Sequence, residues 1–314
     1  TEELRSTTGL PPDVVGLFRE PAAFQQTPTG DTYVFDRRAN SVYRIDASGN
    51  AQQIVQIGPE DGRLLGASSF HLGTDGRFVV ADAPEGLERV QIFAGDGTRL
   101  GGFRLPGRAA PRITLGDLVL TGVASLQYTG QIILMNQPEL GGLITKFSLR
   151  GHPFNTFGVF RFTGHEEDRD LHLALNSGFP LENPLGGYYF VFQAGVPTFR
   201  KYDDQGVLRF ERHIEGIELD PVIATLPNTW ARKSDNRGRT LPIVFPTVRT
   251  AAVDPEGYLW IALTVPYIYV YNPDGEKVRT IRLRGAGILN PTSLFFPSRD
   301  RLLVTPGCYE FKVR

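Results

Sequence analysis

Apolar positions in this chain fall in short runs rich in valine, isoleucine, phenylalanine and tyrosine, and glycine-bearing turns separate the runs. Helical spacing is almost absent, so the pattern predicts strands joined by tight turns. Five stretches repeat this design in pairs. They are TGDTYVFD (29–36) with SVYRIDASGN (41–50), TDGRFVVAD (74–82) with RVQIFAGDGT (89–98), YTGQIILMN (128–136) with LITKFSLRGH (143–152), GGYYFVFQ (186–193) with TFRKYDDQGV (198–207), and DPEGYLWIAL (254–263) with YIYVYNPDGE (267–276). The turn glycines of each pair lie 19, 21, 21, 19 and 18 residues apart: Gly30 to Gly49, Gly76 to Gly97, Gly130 to Gly151, Gly187 to Gly206 and Gly257 to Gly275. A period of this kind is the signature of a repeat architecture. Each pair encloses two strands and the flanks add one on either side, giving a four-stranded meander per unit.

A sixth unit begins at Pro291 and reads TSLFFPSRDRLLVTPGCYEFKVR, one strand short. The segment before Glu20, which includes Pro11 to Phe18, is left over and supplies that strand. Closure of this kind protects the sheet edges that an open array would expose. The expected fold is therefore all-β: a six-bladed β-propeller of four-stranded antiparallel blades, its ring closed by an N-terminal strand completing the last blade. No low-complexity linker divides the chain, so residues 1–314 read as a single propeller domain with a long inter-blade insertion at about 217–247.

The wording of the repeats resembles the NHL-repeat family and its six-bladed relatives. Arg89-Val90-Gln91-Ile92-Phe93 with Asp96-Gly97, Ile268 to Gly275, and Gly151 through Phe157-Gly158 carry the likeness, which covers roughly residues 20–314. The third and fourth units depart from it through insertions and lack the aspartate turn. The resemblance implies the propeller fold and leaves function open, since it extends to interaction modules, RNA binders, lyases and lactonases.

Composition removes several classes. The chain has 33 basic and 34 acidic residues and a formal net charge of -1, which argues against a nucleic-acid partner. One cysteine, Cys308, excludes an intrachain disulfide and any multi-cysteine zinc site, and its place near the end of the last unit reads as a buried strand position. No apolar run is long enough for a transmembrane segment. The chain starts at Thr1 with no signal-peptide pattern, and the reading is an exported bacterial protein, periplasmic or secreted, with the cytoplasm as the other compartment.

Topology predicts where function sits. If the short glycine turns share one rim, the remaining connections share the other, and the long segments Leu105 to Asp117, His152 to Asp170 and Ile217 to Pro246 all fall there. Long irregular connections carry function disproportionately. Candidate partner-binding residues on that rim are Arg112, Phe160, Phe162, His165, Trp230 and Arg232, because exposed aromatics beside arginines suit protein recognition. The phenylalanines serve equally as blade core, and Trp230 equally as packing for its loop.

Channel candidates come from the expected starts of the innermost strands: Glu20, His172, Arg249 and Asn290. The resemblance to gluconolactonase-type propellers implies a divalent ion such as calcium held by a glutamate, amides and an aspartate. Glu20-Pro21 matches the opening glutamate, no aspartate partner is evident, and Arg249 would repel a cation. The five histidines show no zinc spacing, no nucleophile elbow or phosphate loop occurs, and the run His165-Glu166-Glu167-Asp168 lacks a calcium-loop pattern. The expected function is a non-catalytic propeller, without cofactor, binding a protein partner or a small ligand through its long-loop face. A metal-dependent lyase or lactonase with its ion in the central channel is the alternative.

Overall fold

The runs of apolar residues become strands covered on both faces, which is why Tyr188–Phe192, Leu259–Leu263 and Phe78–Asp82 are buried along their whole length. The computed structural model describes residues 1–105, 111–115, 118–121, 125–234 and 238–314. A strand β1 (Glu2–Gly9) and one helical turn α1 (Pro12–Val15) precede the first blade, β2 (Pro21–Gln26), β3 (Thr32–Asp36), β4 (Ser41–Ile45) and β5 (Ala51–Val55). The second blade is β6 (Ser69–Leu72), β7 (Phe78–Asp82), β8 (Arg89–Phe93) and β9 (Arg99–Arg104). A hairpin, β10 (Pro111–Leu115) and β11 (Leu118–Thr121), leads to the third blade, β12 (Leu126–Tyr128), β13 (Ile132–Met135), β14 (Ile144–Ser148) and β15 (Pro153–Phe157). Helix α2 (Arg169–Leu175) leads to the fourth, β16 (Gly178–Glu182), β17 (Tyr188–Phe192), β18 (Thr198–Tyr202) and β19 (Leu208–His213). Helix α3 (Asp220–Ala224) and a hairpin, β20 (Arg232–Ser234) and β21 (Thr240–Pro242), precede the fifth, β22 (Val248–Val253), β23 (Leu259–Leu263), β24 (Ile268–Tyr271) and β25 (Lys277–Arg284). The sixth holds β26 (Ser293–Ser298), β27 (Arg301–Thr305) and β28 (Tyr309–Lys312).

Each blade is an antiparallel meander, and β1 completes the sixth by pairing antiparallel with β28, Ser6 opposite Phe311. The same strand runs parallel to β25, Glu2 opposite Ile281, so the last two blades share one eight-stranded sheet. The closing strand lies upstream of the Pro11 to Phe18 stretch, where Pro12–Val15 turns helical instead and Val14 and Phe18 pack under the junction of the sixth and first blades.

Six apolar clusters fill the six spaces between neighbouring blades. Phe70, Phe78 and Phe93 meet Tyr33 and Phe35 between the first two, for example, and Phe179, Tyr189 and Phe199 meet Ile261 and Tyr271 between the fourth and fifth. A seventh cluster joins Leu171, Ala174 and Leu175 of α2 to Ala194 and Val244 on the rim.

The turns within β2–β3 and β4–β5, and their counterparts in the other blades, lie on one rim. Gly97 shows why glycine is needed there: its φ is +89°, and a Cβ would collide with the carbonyl of Ile54. The opposite rim carries the blade-to-blade crossings, including the β10–β11 hairpin, α2, α3 and the β20–β21 hairpin. Carboxylates at the ends of second strands fasten these crossings. Asp36 accepts from the amides of Arg19, Glu20 and Ala39 at 2.7, 3.0 and 3.0 Å. Asp82, fully buried, accepts from the Leu65 amide at 3.0 Å and takes Arg89 Nε and Nη2 at 2.8 and 3.0 Å. The arginine of the repeat wording is thus a structural clamp, and its guanidinium also reaches the carbonyls of Glu60 and Arg63.

Candidate functional site in the axial channel

The innermost strand of every blade has one paired edge and one edge facing the axis. In an antiparallel pair, alternate amides point away from the partner strand, so these free edges present N–H groups toward the channel. Side chains from the preceding blade meet them. Gln25 Oε1 accepts from the Leu72 amide at 2.8 Å, His71 Nδ1 from the Tyr128 amide at 3.2 Å, and Gln127 Oε1 from the Glu182 amide at 2.5 Å. One layer further along the axis, Ser69 Oγ accepts from the Leu126 amide at 3.1 Å. Gln25, His71 and Gln127 each stand two places before the turn that follows their strand.

The His71 bond fixes its tautomer. With Nδ1 accepting, the neutral ring carries its proton on Nε2 as a donor. Burial lowers its pKa from 6.5 to about 4, and protonating Nδ1 would also break the bond from Tyr128, so the ring is uncharged at neutral pH.

The same position carries no acceptor on later blades. It is Leu181 on the fourth and Ala252 on the fifth. Asp254 N bonds the Tyr258 carbonyl at 3.0 Å, so by alternation the amide of Val253 faces the axis, opposite Leu181. Phe295 and Phe296 line the channel from β26, and the Phe295 ring meets His71 edge-on at 6.5 Å. In that capping layer the first three blades present a polar wall and the fourth and fifth an apolar one.

The cavity between these walls has a volume of about 750 Å³. Its two ends differ in charge. Toward the crossing rim it is lined by Arg19, Arg249 and the ion pair of Arg37 with Glu20, and toward the glycine-turn rim by Glu182 and Asp254. Asp254 is committed to the Trp260 indole at 3.1 Å and to the amides of Glu256 and Tyr258. Glu182 makes no such bonds, and burial raises its pKa above the ordinary carboxylate value. Among the described residues, two buried polar atoms of the lining have no hydrogen-bond partner, Arg249 Nε and Gln193 Oε1.

The residues singled out in the sequence are dispersed by the fold. Glu20 and Arg249 line the cavity, whereas Asn290 is exposed on the crossing from β25 to β26. His172 corrects the reading of the fourth blade: it lies in α2, and the innermost strand begins six residues later at Gly178. Leu171, Leu173 and Leu175 alternate like a strand, yet the Asp168 carboxylate caps the amide of Leu171 and starts a helix. His172 Nδ1 instead meets Thr163 Oγ1 at 2.7 Å, and its ring packs on Phe160.

Phe160 is half-buried, Phe162 is 86% exposed, and His165 is half-buried on the same crossing. Trp230 packs against the α2 cluster, and Arg232 is paired with Asp168. Arg112 belongs to β10, and its side chain lies outside the described residues. The acidic run has its oxygens engaged locally as well: Glu166 Oε1 accepts from the amides of Thr163 and Gly164. Cys308 lies in the turn between β27 and β28 rather than on a strand, and burial pushes its thiol up to about 12.

No family model matches the chain, and no curated protein matches it by sequence. The fold itself has solved counterparts. A streptogramin B lyase superposes with a TM-score of 0.55 at 12% identity, covering 92% of this chain and 77% of that one. A gluconolactonase from Xanthomonas campestris gives 0.53 at 15% identity, covering 93% and 87%, and the virginiamycin B lyase of Staphylococcus aureus gives 0.53 at 11%, covering 98% and 97%. At such identities the likeness concerns the six-bladed architecture alone.

A divalent ion of the kind that the lactonase resemblance implies does not fit the donors present here. Glu20 is held by Arg37, Arg19 and Arg249 line the same end, and among the described residues no three His, Cys, Asp or Glu side chains converge. No helix among the described residues is long and apolar enough to cross a membrane.

Gln25, His71, Gln127, Gln193 and Glu182 escaped the sequence reading. The signal that could have found the first three is their shared place two residues before the turn.

Proposed function

We propose that the protein is a non-catalytic binding propeller that takes a small organic ligand into its axial channel from the crossing rim. The observation that carries this reading is the 750 Å³ cavity whose wall holds two buried polar atoms without partners. A volume of that size suits a drug-sized molecule, and buried polar atoms without partners are otherwise rare in folded proteins. The test is a thermal-shift screen of small organic acids, amides and sugars against the wild type and Ala252→Phe, which fills the channel. Ligands that stabilise the wild type and not the variant support the reading; ligands that stabilise both equally overturn it.

A protein partner on the same rim is the second reading. It is favoured by Val159, Phe162 and Ile217, each more than four-fifths exposed on the crossings. The lyase or lactonase alternative draws on the fold likeness alone. Turnover of a lactone or a streptogramin, together with about one divalent ion per chain after desalting, would replace the binding reading.

A further inference from the structure

Arg249 is the most exceptional charged residue of the channel. The ladder between β22 and β23 slips at this point: Val248 stands opposite Leu263 and Thr250 opposite Ala262, so Arg249 is the extra residue of a β-bulge. Bulges re-aim a side chain out of the regular alternation. Here the side chain borders the cavity, makes no ion pair or hydrogen bond among the described residues, and has its Nε buried. Most other arginines near the axis or the crossings are spoken for: Arg37 by Glu20, Arg89 by Asp82, and Arg161 by the carbonyls of Leu175, Ala194 and Val196. A half-buried guanidinium with no counter-charge is costly unless something supplies one.

What surrounds Arg249 narrows the chemistry. Among the described residues, Gln193 leaves an unpartnered amide oxygen in the same lining, and Arg19 adds a second cation with no ion pair at that end. The two arginines are donors for an anion, and a planar guanidinium fork matches a carboxylate, whereas the Gln193 oxygen is an acceptor for a donor elsewhere on the ligand. Beside it Leu294, Phe295, Phe296 and Ala252 form an apolar stretch of the lining. At the far end Glu182 would repel the same anion and so set its direction along the axis.

We propose that Arg249, turned into the channel by the bulge of β22, is the receptor for the carboxylate of an organic acid whose apolar body lies along Ala252 and Phe295. This rests on the channel reading above and specifies its ligand class.

The test is isothermal titration of the full chain with 3-phenylpropanoate and octanoate, each beside its primary amide, at low and moderate salt. The carboxylates should bind at least about tenfold tighter than the amides, because only they complete the charge-assisted pair. Arg249→Met should remove that preference, bringing the acid down to the level of its amide, whereas Arg249→Lys should retain part of it. Arg249→Gln serves as the second variant if the methionine form does not fold. Equal binding of acid and amide, unaffected by substitution of Arg249, would overturn the anion assignment while leaving a ligand channel standing. If neither acids nor amides bind, and the broader screen finds no ligand sensitive to Ala252→Phe, the channel reading itself falls and the assignment falls with it.

Discussion

The two rims of this propeller are built by different means. On the glycine-turn rim many corners are closed by their own residues. Asp46 accepts from the amides of Ser48 and Asn50, Asp203 from those of Gln205 and Val207, and Asn272 from those of Asp274 and Glu276. On the crossing rim the fastenings span long stretches of chain: Arg89 reaches back to Glu60, Asp61 and Arg63, and Arg161 forward to Ala194 and Val196. The glycine turns are set largely within their own corners, with Tyr33, Tyr128 and Tyr189 tying that rim across blades, whereas the crossings are fastened over longer stretches of chain.

The largest way to break this contrast is Arg89→Leu. It strands the buried Asp82 carboxylate, and chemical denaturation should show a loss of roughly 3–5 kcal/mol; a loss below about 1 would mean that the clamp does not hold the crossing. Next, Arg161→Met should cost roughly 2–3 kcal/mol, since carbonyls of Leu175, Ala194 and Val196 lose their donor and the guanidinium leaves the face of Phe192, 4.2 Å from its centroid. Limited proteolysis should then cut first between Gly158 and Asp168.

His71→Gln sharpens the comparison through pH. The folded pKa lies near 4 and the unfolded one near 6.5, so below 6.5 the unfolded chain binds more protons and stability falls as pH falls. The wild type should lose about 2 kcal/mol more than the variant between pH 7 and 5, because Gln supplies the same cap without titrating, as at Gln25 and Gln127. Parallel stability curves for the two proteins would remove the buried neutral imidazole from the account.

On the glycine-turn rim, Gly97→Ala should cost more than Gly30→Ala by about 1 kcal/mol. Both have positive φ, but only at Gly97 does another strand press against the missing Cβ. The smallest effect is expected on the crossings: Phe162→Ser should leave stability within about 0.5 kcal/mol, as measured by the same denaturation, because the ring is exposed.

Much of the architecture could be read from the chain, and the reason is physical. Strands such as Tyr188–Phe192 are sandwiched between neighbouring blades, so they are written as unbroken apolar runs, and the turns need glycine at fixed places. The innermost strands are harder. One edge of each is free, so their polar residues look like ordinary loop chemistry. The alternation of Leu171, Leu173 and Leu175 therefore imitated the fourth of them, while the real one, GFPLE, carries a proline and a glycine. The partners of Gln25, His71 and Gln127 lie 47, 57 and 55 residues away, and nothing local announces them. Arg249 was legible as a channel residue, but the bulge that turns it and the absence of a counter-charge belong to three dimensions.

The shared strand β1 also sets an order of events during synthesis. Ser6 emerges from the ribosome 305 residues ahead of Phe311, its partner in β28. At typical elongation speeds of about 5–20 residues per second, that is a wait of roughly 15–60 s. Until β25 and β28 have emerged, β1 is an unpaired β-edge, charged at Glu2, Glu3 and Arg5, beside blades that are already able to form. Those charges discourage pairing with a neighbouring nascent chain until the ring can accept the strand.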